Sequence, residues 1–175
     1  CSSGGGSDPS GGGGDDDVLR DGDRLDDAIG ALYEAIGTDE ARATDVTLYP
    51  GYVIVEAQDP DAADHIDRYT WRDGDVGDPE PVHLTGPQAD VELRLFALSA
   101  VPWRDLAELA ARAEDRLETA EPTRVEEPHA GYVVVRRSTG GDDRPLTISV
   151  YVEGPRRSGY VEFSPQGEVL TASVS

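Results

Sequence analysis

The chain has 175 residues, 36 of them acidic and 15 basic, for a formal net charge of −21. That balance argues against a general nucleic-acid binder, which needs clustered Lys and Arg to displace counterions from phosphates, and against electrostatic docking to anionic lipid. No apolar run approaches the roughly 18–20 residues of a membrane-spanning helix, while a hydrophobic content of 37% suffices for a modest core.

All fifteen basic residues are Arg, and Lys, Asn and Met are absent. The missing residues have A/T-rich codons, which points to a high-GC genome such as that of an actinobacterium or a halophile.

In chain order, the first feature is Cys1, the single cysteine, followed by thirteen residues of which seven are Gly and four Ser. Such a segment buries almost nothing, so residues 1–17 are expected to be a disordered tether with a reach of at most ~55–60 Å. A cysteine ahead of a Gly/Ser tether resembles a bacterial lipoprotein after signal peptidase II cleavage. The resemblance implies a thioether-linked lipid on Cys1 and anchorage to the outer face of the cell membrane. Seven acids follow between Asp15 and Asp27, but neither they nor Asp73-Gly-Asp-Val-Gly-Asp78 have the ligand spacing of a calcium loop. They read as solvated surface.

Leu25, Ile29, Leu32 and Ile36 recur at i, i+4, i+7 and i+11, which predicts an amphipathic helix with Gly37 at its C-cap. Val46 through the run Gly51-Tyr-Val-Ile-Val55 reads as one strand, and Ile66–Arg72 as its partner after a turn-rich Asp59–Asp64. Segments 81–84 and 91–96 read as two further strands. A second helix is expected from about Asp105 to Leu117. After it come strands at Val125 and Tyr132–Arg136, at Leu146–Val152, at Tyr160–Phe163 and at Val169–Val174.

Several blocks recur in order. Gly51-Tyr-Val-Ile-Val55 returns as Gly131-Tyr-Val-Val-Val135, Tyr69–Gly74 falls on Ser149–Gly154, and Pro87–Val91 falls on Pro165–Val169. The expectation is an α+β fold of two tandem copies, residues 18–98 and 99–175, each a helix plus a four-stranded antiparallel meander with the helix on one sheet face. The closing Phe163-Ser-Pro-Gln-Gly-Glu-Val169 resembles the PepSY-like and β-lactamase-inhibitor-protein-like group. That resemblance implies an extracytoplasmic, non-catalytic domain, in some members an inhibitor of hydrolases. A second resemblance, to actinobacterial lipoproteins with an Arg-Arg strand end and a Pro-Arg-Arg-Ser-Gly-Tyr turn, brings no biochemical role.

No catalytic constellation emerges. His65, His83 and His129 lack metal-ligand spacing, there is no nucleophile elbow, and glycine-rich stretches lie only in the tether, so neither enzyme activity, cofactor nor metal is expected. Residues 1–98 carry 23 acids and 6 Arg, whereas 99–175 carry 13 acids and 9 Arg. Arg136, Arg137, Arg156, Arg157 and Tyr160, with Arg144, Tyr132 and Tyr151 nearby, make the candidate partner surface, because Arg and Tyr are enriched at interface hot spots. The expected partner is a secreted or envelope protein or an acidic polymer, contacted by a monomer that touches the membrane through its lipid alone. The alternatives are a carrier of lipid or another small apolar ligand, against which the Ala-rich second helix argues, and a structural spacer in the envelope.

Overall fold

A computed structural model describes residues 17–85, 87–139 and 143–175. Chain order is α1 (Gly22–Ile36), β1 (Arg42–Tyr49), β2 (Tyr52–Asp59), β3 (Ala62–Arg72), β4 (Asp75–Val76), β5 (Glu80–Pro81), α2 (Gln88–Glu92), β6 (Phe96–Ala97), α3 (Leu106–Glu118), β7 (His129–Arg137), β8 (Leu146–Glu153), β9 (Ser158–Phe163) and β10 (Val169–Val174). Two 3-10 turns, Leu98–Ala100 and Trp103–Asp105, precede α3.

Helix α1 begins where the Asp21 carboxylate accepts hydrogen bonds from the N–H groups of Asp23 and Arg24, at 3.0 and 3.1 Å, satisfying two donors that the first turn leaves open. It ends at Gly37, whose φ of 85° is the left-handed conformation that glycine adopts without strain. Leu25, Ala28, Ile29, Leu32 and Ile36 are buried, each large side chain contributing roughly 1.5–3 kcal/mol. Leu106, Leu109, Ala110, Ala113 and Leu117 do the same for α3.

The ten strands of the described residues form one antiparallel sheet in the order β10-β9-β8-β7-β1-β2-β3-β4, with β5 added to β3 and β6 to β1. Helix α1 packs on β2 to β4 and α3 on β7 to β9. Both helices lie against the same apolar face, whose Val46, Leu48, Val53, Val55, Val133, Val135, Ile148, Val150, Val161 and Phe163 are fully buried. The turn Trp103–Asp105 packs on α1, and Arg104 Nε donates to Asp26 Oδ2 at 2.8 Å. On the other face, a small cluster of Ile66, Val91 and Leu95, with Val82 and Leu84 against it, covers one corner.

This corrects the expected fold class. The protein is mostly β, with one continuous sheet and few short helices, and it is not built from two helix-plus-four-strand repeats. Strand β1 pairs directly with β7 through Asp45↔Arg136, Val46↔Val135, Thr47↔Val134 and Leu48↔Val133, so the sheet runs without a break across its middle. The single strand expected over Val46–Val55 is two, because Pro50 and Gly51 turn the chain between Tyr49 and Tyr52. Proline presets φ for the second position of a turn and glycine tolerates the next. Segment 81–96 supplies only two-residue strands at its ends, with Val91 in α2. Val125 lies in a loop, its N–H bonded to Leu117 O at 2.9 Å. The matched blocks Gly51–Val55 and Gly131–Val135 fall on β2 and β7, the two strands that flank β1. Both need a β-branched residue at every second position to fill the same core.

Candidate functional site: a tyrosine ladder on the open sheet face

Side chains alternate across a strand, so burying Val53, Val133, Val150 and Val161 beneath the helices sends their neighbours to the opposite face. At one end of the sheet those neighbours are tyrosines on five adjacent strands: Tyr52, Tyr49, Tyr132, Tyr151 and Tyr160. Tyr49 pairs with Tyr52, Tyr132 with Tyr151, and Tyr151 with Tyr160. The Leu48↔Val133 register sets Tyr49 beside Tyr132. Ring centroids follow one another at 4.5, 5.7, 4.4 and 5.7 Å, with planes within 34°. The Arg72 guanidinium caps the row on β3, 4.5 Å from the Tyr52 ring centroid, a cation–π contact.

All five rings are half-buried. Their faces are covered by one another, so ring edges and hydroxyls are what the row offers to solvent. Among the described residues none of the five phenol oxygens has a hydrogen-bond partner in the protein. Loss of water around the ring, then Tyr151, Tyr49 and the Glu153 carboxylate, push the Tyr132 hydroxyl above the usual phenol range. It therefore stays protonated and able to donate. The row is a line of paired donors and acceptors repeating at the strand spacing of about 4.7–4.9 Å.

Below it the face becomes mixed and then charged. Thr70, Ile54, Thr47, Val134, Ser149 and Glu162 form the next row, and Arg68, Glu56, Asp45, Arg136 and Thr147 the one after. Arg68 Nη2 donates to Glu56 Oε1 at 2.8 Å, and Thr47 Oγ1 to Asp45 Oδ1 at 3.0 Å. Burial is the main cause raising the Asp45 carboxyl above the ordinary aspartate range. The Thr47 hydrogen bond opposes it, Glu56 adds to it, and Arg136 and Arg94 oppose it.

The candidate residues separate. Tyr160 ends the ladder, and exposed Arg136 lies on the same face in the charged row. Arg137, next along β7, instead donates Nε to Leu95 O at 2.8 Å and Nη1 to Arg144 O at 3.0 Å. Its guanidinium ties two loops together. Arg136, Arg137 and Arg144 gather at one end of β7 and β8, while Arg156 and Arg157 lie in the β8–β9 turn at the other end. Cys1 lies outside the described residues. Trp71, set opposite Tyr151 by the sequence repeat, is buried on the helix side beneath Arg24. Tyr49 and Tyr52 carry the ladder onto β1 and β2. The signal for them was Tyr-Pro-Gly-Tyr, a tight turn that sets its two flanking residues opposite each other.

His129 Nε2 lies 3.8 Å from Glu153 Oε2. Among the described residues no three His, Cys, Asp or Glu side chains are arranged to hold a metal ion, and no helix is long and apolar enough to cross a membrane. A hollow of about 900 Å³ lies between the end of α3 and β10, lined by Arg112, Asp115, Arg116, Leu117, Phe163 and Val174 among others.

No family model matches the chain, and no curated protein matches it in sequence. Among solved structures it is similar to the crystal structure of a "putative lipoprotein" from Clostridium difficile 630, with a TM-score of 0.55 and 13% sequence identity over 86% of this chain and 91% of that one. The two share the course of the fold.

Proposed function

We propose that this chain is an extracytoplasmic lipoprotein, held at the outer face of the membrane by lipid on Cys1, that acts as a non-catalytic protein-binding or inhibitory module through its open sheet face. The observation that carries the reading is the ladder of five stacked, half-buried tyrosines whose hydroxyls lack partners within the described protein. Tyr and Arg supply large contact area and polar tips at low entropic cost, which is why they dominate interface hot spots. The rings already stack on one another in the unbound chain, which lessens the ordering that opposes binding. Arg72 and Arg136 frame the face. The Gly/Ser-rich sequence after Cys1 and the name carried by the Clostridium difficile structure support the anchored location.

The second reading is a carrier of lipid or another apolar ligand, for which the hollow between α3 and β10, ringed by Arg112, Asp115, Arg116 and Glu121 as well as Leu117 and Phe163, is the candidate place. Crosslinking capture from native envelope and secretome, with mass spectrometry of proteins and lipids, separates the two. Enrichment of one protein, lost when Tyr132 and Tyr160 become Ser, supports the binding module. Co-purified lipid with no protein overturns it in favour of the carrier.

A further inference from the structure

We infer a second, independent site: a phosphate-binding pocket formed by Arg124, Arg156 and Arg157. These residues line one hollow of about 310 Å³ together with Pro122, Thr123 and Glu126. That volume lies at the low end for ligand pockets and suits a small anion or a headgroup.

The gathering is built into the backbone. The β8–β9 turn is docked on the segment before β7 by Gly154. A Cβ at Gly154 would collide with Glu126 O and lie 2.7 Å from Val125 Cγ1. Val125 is itself fully buried and tied by its N–H to Leu117 O. Glycine at 154 therefore lets the two segments meet, and their meeting brings Arg124 to the arginine pair.

Some of the guanidiniums pair with a carboxylate. Arg20 does with Glu114, Arg68 with Glu56 and Arg104 with Asp26. Arg124, Arg156 and Arg157 have no carboxylate within ion-pair distance among the described residues. Three arginines and one acid, Glu126, line the hollow, while Arg124 and Glu126 also line the adjoining one with Glu118 and Glu127. Three arginines lining one small hollow offer forked donors of the kind that suit the oxygens of a phosphate group. Glu126 beside them suits a phosphate ester whose second half carries a hydroxyl or amine. The ligand class is therefore a phosphate ester, as found in a lipid headgroup or in a soluble or polymeric glycerol phosphate. With −21 of net charge, the protein as a whole is repelled by an anionic surface, so attraction to phosphate has to come from a local site of this kind.

The test uses the full chain in dilute buffer, titrated with inorganic phosphate and with glycerol 3-phosphate, and sedimented with vesicles of phosphatidylcholine with or without phosphatidylglycerol. The expected result is saturable one-site binding, weakened about tenfold or more by Arg124→Gln or by Arg156→Gln with Arg157→Gln, each removing charge-assisted hydrogen bonds. All three side chains are exposed, so the variants fold. Arg72→Gln, on the tyrosine face, leaves phosphate binding unchanged, so this site and the proposed function fail separately. Retention on phosphatidylglycerol vesicles assigns the phosphate to a lipid. Binding of glycerol 3-phosphate without vesicle retention assigns it to a soluble or polymeric source. Absence of saturable binding in every arm, or binding undiminished in the arginine variants, overturns the site.

Discussion

Tyr132 and Tyr151 lie directly opposite each other on β7 and β8, with ring centroids 4.4 Å apart and planes 10° from parallel. The pair is the tightest in the ladder. It joins two of the five strands that place tyrosines on the face left open by the helices.

Stacked cross-strand aromatics are coupled by about 0.5–1.5 kcal/mol beyond their burial. A double-mutant cycle of Tyr132→Leu and Tyr151→Leu, followed by urea unfolding, is expected to return a coupling energy in that range. Additive single effects would mean that the rings do not stack in solution.

Asp45 gives the open face a pH dependence with a definite sign. Its carboxyl is raised above the ordinary value, burial being the leading cause, so the folded protein holds this proton more tightly than the unfolded chain does. The stability contributed is fully present below the unfolded aspartate pKa of about 3.9 and is lost as pH rises through the raised folded value. Asp45→Asn removes that titration while keeping an acceptor for Thr47. The variant is expected to melt higher than the wild type at neutral pH, and the gap is expected to close as the buffer is taken down past the aspartate range. A gap that stays constant with pH would contradict the assignment.

The continuous sheet predicts cooperative unfolding. Leu48 on β1 is fully buried and lies opposite Val133 on β7, at the seam between the two halves of the chain. Leu48→Ala is expected to cost roughly 2–5 kcal/mol and to shift one calorimetric transition for the whole protein. Two transitions, only one of them moved, would show halves that fold apart.

Helix α1 depends on its N-cap. Asp21→Ala removes the hydrogen bonds to Asp23 and Arg24, and a loss of about 0.5–2 kcal/mol is expected in chemical denaturation. Asp21→Asn, which keeps the acceptor, is expected to recover most of it.

What the sequence disclosed follows the range of the forces involved. Helix α1 was legible because Leu25, Ile29, Leu32, Ile36 and Gly37 are local signals. Strand β8 was legible because Ile148, Val150 and Val152 alternate toward one face. The β1–β7 pairing was not, since the contact between Val46 and Val135 leaves no mark that β-branched residues in any buried strand would not leave. The turn at Pro50 and Gly51 was a local signal, but the apolar alternation continues through it. Reading it as strand hid Tyr49 and Tyr52, and with them the extent of the site. Tyr160 and Arg136 were reached from their places on the expected strands and from the enrichment of Arg and Tyr at interfaces. The alternation of a strand already set Arg136 and Arg137 apart, but not the bonds of Arg137 to Leu95 O and Arg144 O.

The most direct test of the account is position-specific photo-crosslinking in native envelope. A photoreactive phenylalanine replaces Tyr132 in the middle of the ladder or, as the control, exposed Glu108 on α3. The account predicts a discrete crosslinked protein from position 132 and none from position 108. Crosslinks from 108 alone, or the same products from both positions, would contradict it.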